Sequence, residues 1–356
     1  MKTIATTVLA CATAVLLGAG AHAAAFTDVL SQPAVMSPLA SKSLLQGVAR
    51  AGSTLVAVGQ RGHILLSADG GKTWQQSRVP VSSDLTAVYF VDERRGFAVG
   101  HDGVILATID AGATWTLRLD GKRANEAART DLVRKLAAQP TSEKVKAQLA
   151  EAERNVAQGA DKPFLDVWFA DEKTGYAVGA FNMIFRTDDG GVTWSSWFDR
   201  TDNPKFLNLY AIRPAAGGLF VTGEAGLVLK LDATGQRFTA VELPYQGTLF
   251  GVTGDASAVL VYGLRGSAFR SDDAGRTWSK VDAALPATIV GGTALGGKTI
   301  ALADVSGRIS ISTDGGRTFS LAPIPPAPML AGIADAGDGR IALAGARGVS
   351  VVALAR

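Results

Sequence analysis

The stretch Ser67-Ala-Asp69-Gly-Gly71-Lys-Thr73-Trp74 contains the pattern Ser/Thr-x-Asp-x-Gly-x-Thr-Trp/Phe, which recurs along the chain and is called the box motif below. In a tight turn between two strands, an Asp side chain accepts hydrogen bonds from backbone N–H groups, and Gly allows a positive φ. The terminal aromatic side chain then packs between neighbouring units. We therefore predict structural roles for Asp69, Trp74, Asp110, Trp115, Asp189, Trp194, Asp273, Trp278, Asp314 and Phe319.

The boxes follow one another at an almost constant interval. The step from Asp69 to Asp110 is 41 residues, as are the two steps from Asp232 to Asp273 and from Asp273 to Asp314. A degenerate copy of the box begins at Asp232, which lies 43 residues after Asp189. A repeat of about 40 residues is too short for a domain with its own core, but it is typical of a four-stranded propeller blade.

An apolar strand ending in a small turn precedes each box, as in Leu55-Val-Ala-Val-Gly59-Gln-Arg61-Gly62, and it occurs seven times. The seventh unit, at 342–356, has no box and is one strand short. Residues 26–33 resemble the strand that follows a box, and a strand borrowed from the N-terminus would close the ring. We predict an all-β fold for 24–356, a seven-bladed β-propeller closed by an N-terminal strand, with six or eight blades as the alternative.

Residues 121–162 interrupt the β pattern between blades 2 and 3. Apolar residues recur there at helical spacing in two runs separated by Pro140-Thr-Ser142, and Ser142 is a good helix N-cap. This segment predicts a helical hairpin. It is either a tolerated surface insertion or an arm that contacts a partner.

Residues 1–23 have the features of a secretory signal: Lys2, an apolar stretch from Val8 to Leu17, and the cleavage pattern Ala21-His22-Ala23. Cleavage near Ala23 predicts a periplasmic or secreted protein, and lipidation at Cys11 is the alternative. Because Cys11 is the only cysteine, the mature chain would have no disulfide or Cys metal site.

Charge and histidine content exclude other functions. The formal net charge is +3, from 35 Lys and Arg against 32 Asp and Glu, so a nucleic-acid partner is not predicted. There are three histidines, and the box Asp residues lack the ligand spacing of a calcium loop. No metal ion or cofactor is therefore expected.

Propellers commonly bind at loops held by the rigid blades, and the loops between second and third strands carry the most varied residues of this repeat. Three arginines there could bind carboxylates of a partner, although solvated turn residues remain the alternative. The candidate partner-binding residues are Arg61, His101, Asp102, Asn182, Glu224, Arg265 and Arg347, with Asp304 at the equivalent place in the sixth unit.

Two segments resemble the repeat of the photosystem II stability and assembly factor family, which are BNR or Asp-box propellers. Leu85-Thr-Ala-Val88-Tyr-Phe90-Val-Asp92 leads to Gly96-Phe-Ala-Val-Gly100, and 165–179 repeats this pattern. The resemblance implies a non-enzymatic lumenal or periplasmic factor that holds membrane-protein subunits during assembly. The Ala-rich signal is typical of proteobacteria, so we expect a bacterial member that serves a membrane exporter or envelope complex and touches the membrane through that partner.

The box motif is also familiar from sialidases, which combine an arginine triad, a Tyr nucleophile with a Glu, and an Arg-Ile-Pro motif. No Arg-Ile-Pro occurs here, and no Tyr/Glu pair stands out beside Arg61, Arg265 and Arg347. We therefore predict a binding protein and no enzyme. A sialidase-type glycoside hydrolase or a glycan-binding propeller is the second hypothesis.

Overall fold

A computed structural model describes residues 27–327 and 329–354. The predicted signal sequence at 1–23, with Cys11 and the cleavage site near Ala23, lies outside the described residues. The described chain is mostly β, with seven antiparallel sheets and two α-helices. We number the sheets first to seventh in chain order.

Consecutive strands form each sheet, so every connection within a sheet is a hairpin. The first two sheets contain β1 (Leu45–Ala51), β2 (Thr54–Gly59), β3 (Ile64–Ser67) and β4 (Gln75–Gln76), then β5 (Leu85–Phe90), β6 (Gly96–Gly100), β7 (Ile105–Thr108) and β8 (Thr116–Leu119). The third and fourth contain β9 (Phe164–Phe169), β10 (Gly175–Gly179), β11 (Ile184–Thr187) and β12 (Ser195–Ser196), then β13 (Leu209–Ala215), β14 (Gly218–Gly223), β15 (Val228–Leu231) and β16 (Phe238–Val241).

The remaining sheets repeat this order, except that the seventh has three strands among the described residues. The fifth and sixth contain β17 (Leu249–Gly254), β18 (Val259–Gly263), β19 (Ser267–Ser271) and β20 (Ser279–Asp282), then β21 (Ile289–Ala294), β22 (Ile300–Asp304), β23 (Ile309–Ser312) and β24 (Ser320–Leu321). The seventh contains β25 (Leu330–Gly337), β26 (Arg340–Gly345) and β27 (Gly348–Ala353).

The seven sheets form a closed ring. The first strand of each sheet contacts the first strand of the next, and β25 contacts β1. The core lies between neighbouring sheets: one apolar cluster joins Val56 and Ile64 of the first sheet to Leu85 and Leu106 of the second. Each sheet has apolar residues on both faces, so a sheet alone would leave much of its apolar surface in water, and the ring is the unit that buries it.

The predicted N-terminal closing strand is wrong. Residues 27–33 form turns, and Val29 and Val79 accept backbone hydrogen bonds from Ser82 and Ala34, which ties this segment to the linker after the first sheet. A short 3-10 turn, Ala40–Lys42, then lies against β27 and β4 and spans the junction of the seventh and first sheets. Pro33 and Pro38 lack the N–H donors that a continuous ladder would need.

Two helices occupy most of the predicted insertion. They are α1 (Gly121–Ala138) and α2 (Glu143–Gln158), and they follow β8 and precede β9 in the chain. The side chain of Asp120 caps α1 by accepting from the Arg123 N–H, and Ser142 caps α2 by accepting from the Val145 N–H, as its position predicts. Leu132, Val145 and Ala152 form a small apolar cluster between the helices.

Each intact box holds its own turn with side-chain hydrogen bonds. In the second box, Asp110 Oδ1 accepts from the Thr114 N–H at 2.9 Å and from the Thr108 hydroxyl at 2.7 Å, and Asp110 Oδ2 accepts from the Thr114 hydroxyl at 2.6 Å. Trp115 is buried between the first and second sheets, and its Nε1–H donates to the Gly112 carbonyl. In the first box, the hydroxyl and N–H of Thr73 and the hydroxyl of Ser67 lower the pKa of Asp69.

We expect Asp110→Ala to lower the free energy of unfolding by about 1–3 kcal/mol, because it leaves the N–H and hydroxyl donors of the turn without their acceptor. Urea unfolding followed by tryptophan fluorescence measures this change. Glu242→Ala is the control, since the Glu242 side chain is exposed and pairs with no group among the described residues, and we expect it to change stability by less than about 0.5 kcal/mol. Equal stability of the two variants would contradict a structural role for the box.

Candidate functional site

The ring has two faces with different turns. The boxes lie at one face. At the opposite face, called the turn face below, lie the seven turns between second and third strands: 60–62, 101–103, 180–182, 224–226, 264–266, 305–307 and 346–347. Because β8 ends at this face, the helices begin there, and Gly121 lies against Gly103. The turn face therefore carries both the variable turns and the helical insertion.

Five of these turns place a non-glycine residue in the left-handed region, where ordinary side chains are strained. The φ values are 54° for Arg61, 57° for Asp102, 53° for Phe181, 51° for Ala225 and 55° for Arg265. A side chain that precedes a neighbouring first strand fixes some of these turns. The Asp84 carboxylate accepts from the Arg61 N–H at 2.7 Å, and the Asn208 amide oxygen accepts from the Phe181 N–H at 2.7 Å. The turns are thus rigid, and their side chains project from set positions.

The predicted partner-binding residues do not have equal access to solvent. Arg61, His101, Arg265 and Arg347 are exposed, whereas Asp102 and Glu224 are half-buried. Glu224 accepts from the backbone and side-chain amides of Asn208 at 2.9 and 3.1 Å. The three arginines form no ion pair within residues 27–327 and 329–354. They are therefore available to a ligand at the turn face.

Asn182 has a structural position in the fold. It is 1% exposed; its amide group donates to the Phe198 carbonyl and accepts from Thr201 and Asn203, each at 3.0 Å. Asp304 is also buried and accepts from the Ser306 hydroxyl and the Arg308 N–H. These two side chains hold the loops in place and cannot reach a partner on the surface.

A central cavity of about 690 Å³ is lined by all seven first strands. Leu264 and Val305, from two of the turns, and Tyr210 and Phe250, whose rings meet at 5.0 Å, also line it. None of the seven predicted partner-binding residues lines this cavity. The three arginines therefore lie at the turn face, outside the lining of the cavity.

The cavity contains a buried ion pair that the sequence analysis missed. Asp166 is 5% exposed, and its Oδ2 atom accepts from Arg213 Nη1 at 2.6 Å and from the Ile212 N–H at 2.8 Å. Arg213 also stacks over the Tyr89 ring at 5.7 Å. Burial raises the pKa of Asp166, while the Arg213 guanidinium and the backbone donors oppose that rise. This pair links the third sheet to the fourth.

An alignment of the repeats would have singled out Asp166, although not its partner Arg213. The third residue of the first strand is Gly or Ala in six sheets and Asp in one: Gly47, Ala87, Asp166, Ala211, Gly251, Gly291 and Gly332. Asp166 is the single polar residue at a position where the others are small. A carboxylate at a position that is otherwise small and buried predicts a charged or hydrogen-bonding partner nearby, because an unpaired buried carboxylate is costly.

One half of the turn face is basic and apolar. Arg265 and Arg347 belong to the fifth and seventh sheets and Arg61 to the first. Exposed apolar side chains lie among them. Backbone hydrogen bonds place them beside the turns. The Met329 N–H donates to the Val305 carbonyl, and the Met329 carbonyl accepts from the Ala346 N–H. The Leu44 carbonyl accepts from the Gln60 N–H. We call this region, made of Leu44, Arg61, Arg265, Val305, Met329 and Arg347, the basic half.

Within the described ranges, no helix is both long and apolar enough to cross a membrane, and no group of three or more His, Cys, Asp or Glu residues is arranged to hold a metal ion.

The sequence matches the family model described as "Photosynthesis system II assembly factor YCF48" over residues 23–128 and 145–284. These segments leave out residues 129–144, at the tip of the helical hairpin. The chain is also 33% identical over 127 residues to "Photosystem II assembly lipoprotein Ycf48" of Synechococcus sp. (strain CC9902), which covers 34% of this chain and 38% of that protein. The alignment therefore spans well under half of that relative.

Solved structures with low sequence identity share the fold. The structure titled "YCF48 bound to D1 peptide" aligns with a TM-score of 0.64 at 14% identity, covering 91% of this chain and 97% of that one. The WD40 β-propeller domain of Doa1 aligns at 0.61 and 11% identity, with 92% and 96% coverage. A GH74 enzyme from Niastella koreensis aligns at 0.59 and 12% identity, with 87% and 52% coverage. At these identities the similarity shows a propeller-like fold alone.

We expect Arg213→Met to lower the free energy of unfolding by about 3 kcal/mol, the low end for a broken buried pair, because Arg213 keeps a third of its side chain exposed. Replacing both residues, as Asp166→Ala with Arg213→Met, removes the stranded carboxylate and should recover most of the loss. Urea unfolding of the three proteins measures these changes.

The deficit of Arg213→Met should also depend on pH. Burial raises the pKa of Asp166 in the folded state above the value of about 3.9 expected for the unfolded chain. The folded variant then binds its proton more tightly than the unfolded chain, so the deficit should grow as pH rises from about 4 to 7. A deficit that is the same at pH 4.5 and pH 7.5 would contradict this origin.

Proposed function

This chain belongs to the photosynthesis system II assembly factor YCF48 family, and on that premise we propose that it is a non-enzymatic binding protein that helps a membrane protein or envelope complex to assemble or stay stable. The observation that carries the proposal is the basic half of the turn face. It combines three arginines that form no ion pair in the described part of the chain with exposed apolar side chains on a rigid scaffold.

The basic half fits a segment that carries both carboxylates and apolar side chains. Guanidinium groups bind carboxylates through two parallel hydrogen bonds, and apolar contacts add affinity where water is excluded. The related YCF48 structure is titled as bound to a D1 peptide, so a protein of this family and fold binds a peptide. By analogy, we propose that this chain binds an exposed segment of its membrane partner at the basic half.

We further propose that the seven sheets are the seven blades of one propeller, with the helical insertion between blades 2 and 3. The signal features of residues 1–23 support a periplasmic or secreted location. There, the partner would be a photosystem component or an envelope complex such as an exporter. The protein would then reach the membrane through that partner.

A glycoside hydrolase remains the weaker hypothesis. Glycoside hydrolysis generally needs two carboxylates near the bond that breaks, or a Tyr nucleophile that replaces one of them. Among the described residues that line the central cavity, Asp166 is the single carboxylate. Its two oxygens already accept hydrogen bonds from Arg213 and from backbone N–H groups. This arrangement supports the binding hypothesis over hydrolysis.

We expect the triple variant Arg61→Ala, Arg265→Ala and Arg347→Ala to recover at least about tenfold less membrane protein in a crosslinked pull-down from the native envelope. Each lost charge-assisted hydrogen bond removes about 1.5–3 kcal/mol of binding. Quantitative mass spectrometry of the recovered proteins measures the change.

The control is the triple variant Lys72→Ala, Arg276→Ala and Lys298→Ala, which removes three exposed cations from the box face. It should recover the partner as the unaltered protein does. Failure of the unaltered protein to recover any membrane protein would overturn the proposal. Turnover of a fluorogenic sialoside or glycoside that is lost in Arg265→Ala would replace it with the hydrolase hypothesis.

A further inference from the structure

A crevice of about 520 Å³ lies between the helical insertion and the third sheet, on the half of the turn face away from the basic half. Its volume is within the range of pockets that bury a small ligand or a few side chains. The helices supply one wall, with Ala124, Ala128 and Leu132 of α1 and Ala152 of α2. The other wall comes from the third sheet and the loop that follows it.

Four phenylalanine rings line that second wall, one of them Phe185 of β11. Phe198 and Phe206 stack with ring centroids 5.1 Å apart, and Phe181 lies in the turn of the third sheet. Phe181 is 59% exposed and Phe206 is 47% exposed. Large aromatic side chains on a protein surface that are not covered by their own chain are typical of binding sites.

Both exposed rings sit on strained backbone. Phe181 has φ 53° and Phe206 has φ 52°, a region that bulky residues rarely occupy. The equivalent turns carry Arg61, Asp102, Ala225 and Arg265, so the third sheet alone among these five turns presents a large apolar side chain there. The Phe206 ring stacks on Phe198, and the Lys162 ammonium lies 6.0 Å from the centre of the Phe181 ring, yet about half of each side chain stays exposed. A cost in backbone energy at rings left about half in water points to a role other than stability.

The charges around the crevice favour a positive ligand. Four carboxylates line it, from Asp131, Glu151, Asp161 and Asp199, against the two ammonium groups of Lys135 and Lys162. Lys135 already pairs with Asp131 at 2.7 Å and Asp199 at 2.9 Å, and those two bonds hold its pKa above the usual value despite burial. Lys162 donates to Asn155 and Asp161. Asp131 and Glu151 also pair with Arg134 and Arg154, which lie outside the crevice lining. Among the groups that line the crevice, four carboxylates face two ammonium groups.

We infer that this crevice binds a second segment of the membrane-protein partner, one in which a large apolar side chain is followed by Lys or Arg. The apolar side chain would enter between the Phe rings and the helices, and the basic group would meet the acidic rim and the ring faces. The side chains of Gln148 and Gln158, which make no hydrogen bond within the described residues, face the same space and can bind the peptide backbone. The inference rests on the proposed function.

The test uses two synthetic peptides, acetyl-Gly-Phe-Leu-Lys-Arg-Gly-amide and its twin with Glu-Glu in place of Lys-Arg, titrated into the whole protein by calorimetry. We expect the basic peptide to bind at least about tenfold more tightly than the acidic one. Phe181→Gly and Phe206→Gly should each weaken that binding about tenfold. Ala128→Trp, which fills the crevice from α1, should abolish it.

The glycine variants separate binding from folding. Because glycine accepts a positive φ without strain, Phe181→Gly should melt no lower than the unaltered protein. Ala225→Gly is the matched control at the same turn position of the fourth sheet, and it should leave peptide binding unchanged. A fall of several degrees in the melting temperature of Phe181→Gly would show that its ring is a packing element and would overturn the inference.

Other outcomes also decide the matter. Equal binding of the two peptides, no binding of either, or binding that survives both glycine variants would overturn the inference, as would Phe181-dependent binding to phosphatidylcholine vesicles instead of the peptide. The triple arginine variant should still bind the basic peptide. If the unaltered protein binds the basic peptide but captures no membrane protein, the proposed function fails and the crevice remains a peptide site. If it captures a membrane protein but does not bind the peptide, only the inference about the crevice fails.

Discussion

The fold depends on the close approach of seven first strands around one cavity. A Cβ atom on Gly47 would lie 3.1 Å from the Ala87 Cα atom of the next sheet, so a larger side chain would push the two strands apart. Small residues at this position in six of the seven sheets let the strands converge. Their convergence brings neighbouring sheets into contact, and that contact buries the core between them.

The exception to this rule shows how the ring tolerates a charge. Asp166 replaces the small residue in the third sheet, and Arg213 of the fourth sheet neutralises it. A buried pair of this kind contributes little net stability compared with apolar residues, but breaking it is costly. It therefore ties the third sheet to the fourth at the central cavity.

The turn face has two chemically different halves because turns that are anchored in the same way carry different side chains. The backbone of each turn is anchored to the residue that precedes its own first strand, as when His101 donates to the Asp84 carbonyl and Leu264 to the Thr248 carbonyl. This anchoring lets the second turn residue vary from Arg to Phe without altering the scaffold. A basic half and an acidic, aromatic crevice can thus coexist on one rigid ring, which suits a protein that holds two segments of a partner.

The sequence by itself determined the features that recur or that depend on neighbouring residues. The box turns, the hairpin order of the sheets and the capped helices at 121–158 all follow from local hydrogen bonding and side-chain periodicity. Only the tertiary structure decided which residues meet across the ring. It placed 27–33 against the linker after the first sheet, kept Arg61, Arg265 and Arg347 out of the cavity lining, buried Asn182 and joined Asp166 to Arg213. These contacts join residues far apart in sequence, and their geometry is set by how the sheets pack, which no local pattern encodes.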